Sequence, residues 1–168
     1  SGFNSSKINT SNAMAMRQKQ SILATFINHP ELIEEFGEAL GYLDFGDPFL
    51  DKLRLDILDI ISTMVGGDVN DLQDHLLGRG YDDSFGGVIN SSVLGHAAFA
   101  RHDAPVTFAK SGVRELLARI GKYQLEEQLS AAQRVVMEDF SEVNWNRLAS
   151  LRAALVAVNN GTILEDGF

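Results

Sequence analysis

The sequence predicts an all-α protein: a compact helical bundle subdomain followed by a long helix and a C-terminal antiparallel helical hairpin. Apolar residues recur at three- and four-residue spacing along most of the 168 residues. No stretch alternates with period two for long enough to make a strand. Helix-start signals recur ahead of those apolar runs, at Pro30, Asp47-Pro48, Asp68 and Ser141-Glu142.

Residues 1–13 are Ser/Asn-rich, unpatterned, and end in Ser11-Asn12-Ala13 before Met14, the pattern of a disordered leader outside the fold. The first helix carries Ile22, Leu23, Phe26 and Ile27 and should stop at Asn28-His29, because Pro30 disfavours helical geometry in the residue before it. Pro30 suits the first turn of a second helix with Leu32, Ile33 and Phe36. Asp47 caps and Pro48 opens a third, with Leu50, Leu53, Leu55, Ile57, Leu58 and Ile61, ended by Gly66-Gly67. Asp68 caps a short fourth, with Val69, Leu72, Leu76 and Leu77, closed by Gly80. A fifth helical segment is expected from about Phe85 to Arg101 on the strength of Val88, Ile89, Val93, Leu94, Ala97 and Phe99.

A loop through His102-Asp103-Ala104-Pro105 leads to a long sixth helix, Val106 to Glu138. Its apolar phase shifts: Val113, Leu117 and Ile120 share one face, Leu125 begins another, and Gly121 lies between. Gly121 is read either as a hinge between a bundle over 14–120 and a hairpin with its tail over 121–168, or as a glycine that allows close packing in one continuous helix. Leu125, Leu129, Ala132 and Val136 precede the turn, and Leu148, Leu151, Leu155 and Val158 follow it, each set forming one stripe. At the turn Ser141 can accept from the amide of Asn144, Glu142 favours the positive end of the helix dipole, and Phe140 and Trp145 sit where a hydrophobic staple packs. The seventh helix should run from about Glu142 to Val158 and stop at Asn159-Asn160-Gly161.

Net charge is −9 with no cysteine, which removes disulfides and thiolate chemistry and suits a cytoplasmic protein. From Glu31 to Asp83, 14 acidic residues face only Lys52, Arg54 and Arg79, a balance of −11 that would repel nucleic acid. From Ser84 onward 8 basic residues nearly cancel 9 acidic ones, so the hairpin carries the mixed charge of a protein interface. No membrane span, phosphate loop, serine elbow or acidic pair with a plausible mechanism is present, and neither cofactor nor metal is expected. His102-Asp103 matches the dipeptide of helical metal-dependent phosphohydrolases, and His75, His96 and Asp139 could complete a constellation. A two-residue match with free spacing is weak, and solvated loop residues explain it as well.

The run Phe26-Ile27-Asn28-His29-Pro30-Glu31-Leu32, the Leu53-to-Ile61 helix, and above all Leu125-Glu126-Glu127 through Phe140-Ser141-Glu142-Val143-Asn144-Trp145-Asn146-Arg147-Leu148 resemble the C-terminal helicase-interaction domain of bacterial replicative primase, DnaG. The resemblance covers about Arg17 to the C-terminus. It implies a non-catalytic interaction domain of the primosome, whose hairpin binds the N-terminal domain of the replicative helicase, DnaB, and couples priming to the fork. Carried onto this sequence, the helicase contact would involve Arg147, Leu151, Arg152, Leu155 and Val158, with Ile163 and Leu164 of the tail. Leu148, Leu151 and Leu155 also fit the seam between the two helices. Arg17 and Lys19 are the candidates for holding the acidic tail of single-stranded-DNA-binding protein, as some family members do. The zinc-binding and polymerase domains of such a primase, a transferase, are absent. Two other readings stay open: the N-terminal domain of the helicase itself, and the phosphohydrolase.

Overall fold

The computed structural model describes the backbone of residues 3–64 and 67–166 and the side chains of 12–64 and 67–161. It is all-α, with no strand among the described residues. The helices are α1 (Phe3–Asn28), α2 (Ile33–Tyr42), α3 (Pro48–Thr63), α4 (Leu72–Gly78), α5 (Ser91–His96), α6 (Val106–Glu138) and α7 (Glu142–Asp166). Short 3-10 turns at Pro30–Leu32, Val69–Asp71 and Ala98–Ala100 link them. The chain divides into two compact units, Ser1–Leu117 and Ala118–Phe168, and the division falls inside α6, three residues before Gly121.

In the first unit α1 is the central element, packed against α3, α5 and the flanking 3-10 turns. From Ser21 to Ile27 every residue is buried, the signature of a helix enclosed on all sides. Two polar residues within that run cost little, because Thr25 Oγ1 donates to the Ser21 carbonyl and Ser21 Oγ to the Arg17 carbonyl. The helix ends at Asn28, as Pro30 requires. Asn28 and His29 then turn inward: Asn28 Nδ2 donates to the Ala100 carbonyl at 2.8 Å, and buried His29 places Nε2 2.8 Å from the Arg101 carbonyl. These two side chains tie the end of α1 to the segment that leads into α6.

The link from α2 to α3 is also held by polar groups. Asp47 caps α3 by accepting from the Leu50 amide at 2.9 Å, with Pro48 in the first turn. Asp51 accepts from the amides of Phe45 and Gly46. Buried Arg54 lies 3.2 Å from Asp51 and donates to the Leu40 and Gly41 carbonyls, so its charge meets the negative end of α2. Glu35 on α2 pairs with Lys110 and Arg114 on the opening turns of α6, and those cations hold its carboxyl below the usual glutamate value.

Four expectations require correction. The first helix extends back to Phe3, through residues that the sequence sets apart as a disordered leader; no proline or glycine separates Phe3 from Asn28, and Ser and Asn cost only fractions of a kcal/mol inside a helix, about 0.5 each. Asp68 does cap, accepting from Asn70, but what it opens is the 3-10 turn Val69–Asp71 ahead of α4. The segment from Phe85 to Arg101 is not one helix. Phe85, Gly86 and Gly87 have φ of 51°, 70° and 84°, and the Asp82 carboxylate accepts from the amides of Ser84 and Gly86, fixing a turn. The left-handed conformation of Phe85 costs about 1–2 kcal/mol, offset by burial of its ring. Asn90 then caps α5 by accepting from Val93, and α5 lasts only six residues. Finally, α7 runs past Asn159-Asn160-Gly161 to Asp166, because an established helix propagates through a glycine at a cost of about 1 kcal/mol.

Candidate protein-docking surface

The second unit is built on one apolar seam. Ala132 and Val136 of α6 and Leu148 of α7 are its buried members, and Leu129 and Leu151 pack against them half-buried. The spacings 129, 132, 136 and 148, 151 repeat every three or four residues, so each helix contributes a single stripe. Burial of such a leucine contributes roughly 1.5–3 kcal/mol, and the pairing of the two helices in this unit depends on it.

Three residues connect the helices. Ser141 Oγ accepts from the Asn144 amide at 3.2 Å, and Asn144 Nδ2 returns to the carbonyl and carboxylate of Asp139 at 3.0 and 3.1 Å. The amide of Trp145 donates to the Ser141 carbonyl, starting α7. Phe140 and Trp145 meet across the cap with ring centroids 5.6 Å apart, the staple anticipated from the sequence. Contact between them does not bury them: Phe140 is 79% exposed and Trp145 45%. Met137 at 88% and Val143 at 77% stand beside them in sequence, making an exposed apolar tip. The signal was present, since Met137 and Val143 fall off both stripes, and an apolar residue off the stripe has no seam to enter.

The residues carried over from the resemblance fall into three groups. Arg147 and Arg152 are exposed on α7. Leu151, Leu155 and Val158 are half-buried, and Leu151 belongs to the seam. Ile163 and Leu164 lie outside the residues whose side chains are described. Below the tip, Ala131, Ala132 and Val135 of α6 and Asn144 and Arg147 of α7 line a cleft of about 90 Å³. Gly121 is an ordinary helical residue of α6, and a Cβ added to it would meet nothing within 4 Å. Close packing therefore does not explain that glycine.

Arg17 and Lys19 are both half-buried and engaged within the first unit. Arg17 Nη1 lies 2.7 Å from His96 Nε2 and Nη2 donates to Ser92 Oγ, while Lys19 Nζ donates to the Phe45 carbonyl. His102 and Asp103 are exposed in the turn before α6, and among the described residues no three His, Asp or Glu side chains are grouped to hold a metal ion. No helix among the described residues is long and apolar enough to cross a membrane.

Asp56 and Asp59 on α3 are both ion-paired. Asp56 accepts from Lys52 at 2.7 Å, Arg79 at 2.9 Å and the Tyr81 hydroxyl at 2.5 Å, and Arg79 also reaches Asp59 at 2.5 Å. Partial burial works against the Asp56 charge, but these three donors overcome it and hold its pKa below the ordinary 3.8. Burial and the Asp56 contact push the Tyr81 phenol up. Lys52, Arg79 and Tyr81 line a cleft of about 290 Å³ with Phe49 and Gly86, but the charges of Lys52 and Arg79 are already paired with Asp56 and Asp59. Comparison with protein families, with curated proteins and with solved structures finds no match to this chain.

Proposed function

We propose that this chain is a non-catalytic docking module of the bacterial primase type, whose second unit forms a helical hairpin that binds the N-terminal domain of the replicative helicase and so couples priming to the fork. The exposed apolar tip carries the reading: Met137, Phe140 and Val143, all more than three-quarters exposed, stand on a helix pair whose own seam is already filled by Ala132, Val136 and Leu148. Exposed apolar ground of this kind, flanked by charged residues, is characteristic of protein-binding surfaces. Arg152, exposed on α7, adds the residue type most enriched at interfaces.

The first unit supports that role by anchoring α6. In this reading Gly121 serves as the hinge, and Arg17 and Lys19 offer a secondary site for the acidic tail of single-stranded-DNA-binding protein. A guanidinium has five donors, so Arg17 could accept a carboxylate without releasing both His96 and Ser92. The parent protein would be a cytoplasmic primase, a DNA-directed RNA polymerase, with its chemistry in other domains.

Retention of the cognate helicase N-terminal domain on the immobilised chain tests the proposal. The wild-type chain should retain it, and Arg152→Glu, with an unchanged helical circular dichroism spectrum, should retain much less. The same exposed tip also fits self-pairing, as in a helicase N-terminal domain. Sedimentation at several concentrations separates the two: a chain that stays monomeric until helicase is added fits primase, and a concentration-dependent dimer fits the alternative.

A further inference from the structure

We propose that the contact between Arg17 and His96 is an acid-sensitive tether, which holds α5 on α1 while the imidazole is neutral and lets go when the ring takes up a proton. Arg17, half-buried on α1, donates from Nη1 to His96 Nε2 at 2.7 Å and from Nη2 to Ser92 Oγ at 3.4 Å. Ser92 and His96 stand four residues apart on α5 and are both exposed, so one guanidinium spans a turn of that helix. A guanidinium carries N–H donors and no acceptor. The Nε2 atom must therefore offer its lone pair, which leaves the ring neutral with its proton on Nδ1.

Protonation removes that lone pair and sets a second cation beside the first, so the contact turns from attraction to repulsion. No carboxylate on the packed elements compensates. α5 packs chiefly against α1 and the 3-10 turn Ala98–Ala100, and none of the three contains an acidic residue. Of the charged groups on α1 whose side chains are described, Arg17 makes the contact and Lys19 is engaged with the Phe45 carbonyl. Imidazoles change charge between about pH 5 and 8, so the tether is present above that window and is lost as pH falls through it. The apolar anchor does not titrate: Val93, Ala97 and Ala100 are buried, and Asn28 still holds the Ala100 carbonyl. The opening is therefore confined to α5 and stops short of unfolding the unit.

Hydrogen exchange on the full chain tests this, read as protection factors so that the intrinsic pH dependence of exchange cancels. The reporters are the amides of Leu94 and Ala97, which donate to the Asn90 and Val93 carbonyls. Between about pH 7.5 and about pH 5.5 their protection should fall by about three- to tenfold, while that of Leu53 to Ile57 on α3 stays constant. His96→Gln keeps an acceptor for Arg17 without a titrating ring and should abolish the pH dependence. His96→Ala, which removes the acceptor, should show the low protection at both pH values. Nitrogen shifts of the His96 ring at the higher pH should identify Nε2 as the unprotonated atom. A flat wild-type profile, a His96→Gln profile as steep as that of the wild type, full protection in His96→Ala, or a ring protonated at Nε2 at the higher pH each overturns the tether.

Discussion

Asp56 shows how a residue's surroundings reverse what its spacing suggests. On the helix pattern alone it belongs to a solvated acidic face, yet Lys52, Arg79 and Tyr81 converge on it from three directions. Its depressed pKa makes a stability contribution that is present above the ordinary value of 3.8 and is lost as pH falls through the lower, folded-state value. Denaturant titrations between neutral pH and pH 2 should therefore show Asp56→Asn with lower stability at neutral pH and a shallower acid decline than the wild type. An equally steep decline would mean that other carboxylates dominate the acid limb. Gly112 makes a different point. A Cβ at that position would lie 2.3–2.5 Å from the ring of Phe99, at the root of the ring where rotation gives no escape. Gly112→Ala should destabilise the first unit by about 1–3 kcal/mol despite the better helix propensity of alanine, read as a lowered urea midpoint. Nothing in the sequence marked Gly112, because its role depends on a residue brought to it by the fold.

At the level of the element, capping signals were the most legible part of the chain. Asp47-Pro48 and Ser141-Glu142 start α3 and α7 where they should, because a cap needs only residues a few positions away. Stop signals were less reliable: Asn159-Asn160-Gly161 lowers helix propensity without forbidding the helix. The Phe85–Arg101 segment failed because its glycines adopt left-handed geometry supported by Asp82, a contact that apolar periodicity does not report. The seam between α6 and α7 was legible from the two stripes, and Leu148 is its most buried member at 3% exposure. Leu148→Ala should cost the second unit about 2–5 kcal/mol. Hydrogen exchange on the full chain should show lost amide protection across Leu125 to Val158, with protection unchanged around Ile22 to Ile27. A uniform loss in both regions would indicate that the two units unfold as one.

Across the whole molecule, the two compact units are joined by a single uninterrupted helix, and the division falls one turn before Gly121. If Gly121 is the hinge of the proposed docking module, Gly121→Ala should narrow the orientational spread seen by small-angle scattering. It should also stabilise the chain by up to about 1 kcal/mol, since its Cβ has open space. An unchanged scattering profile removes the hinge and leaves the stability gain. Taken by itself, the sequence determined the all-α class, the starts of the major helices and the stripes that form the seam, because propensity, capping and periodicity act over a few residues. The tertiary structure alone decided that Asn28 and His29 satisfy carbonyls more than 70 positions away, that Lys52, Arg79 and Tyr81 converge as donors on Asp56, and that a filled seam leaves the turn aromatics facing solvent. Those outcomes depend on which distant groups share a neighbourhood, and burial and pairing are set there rather than along the chain.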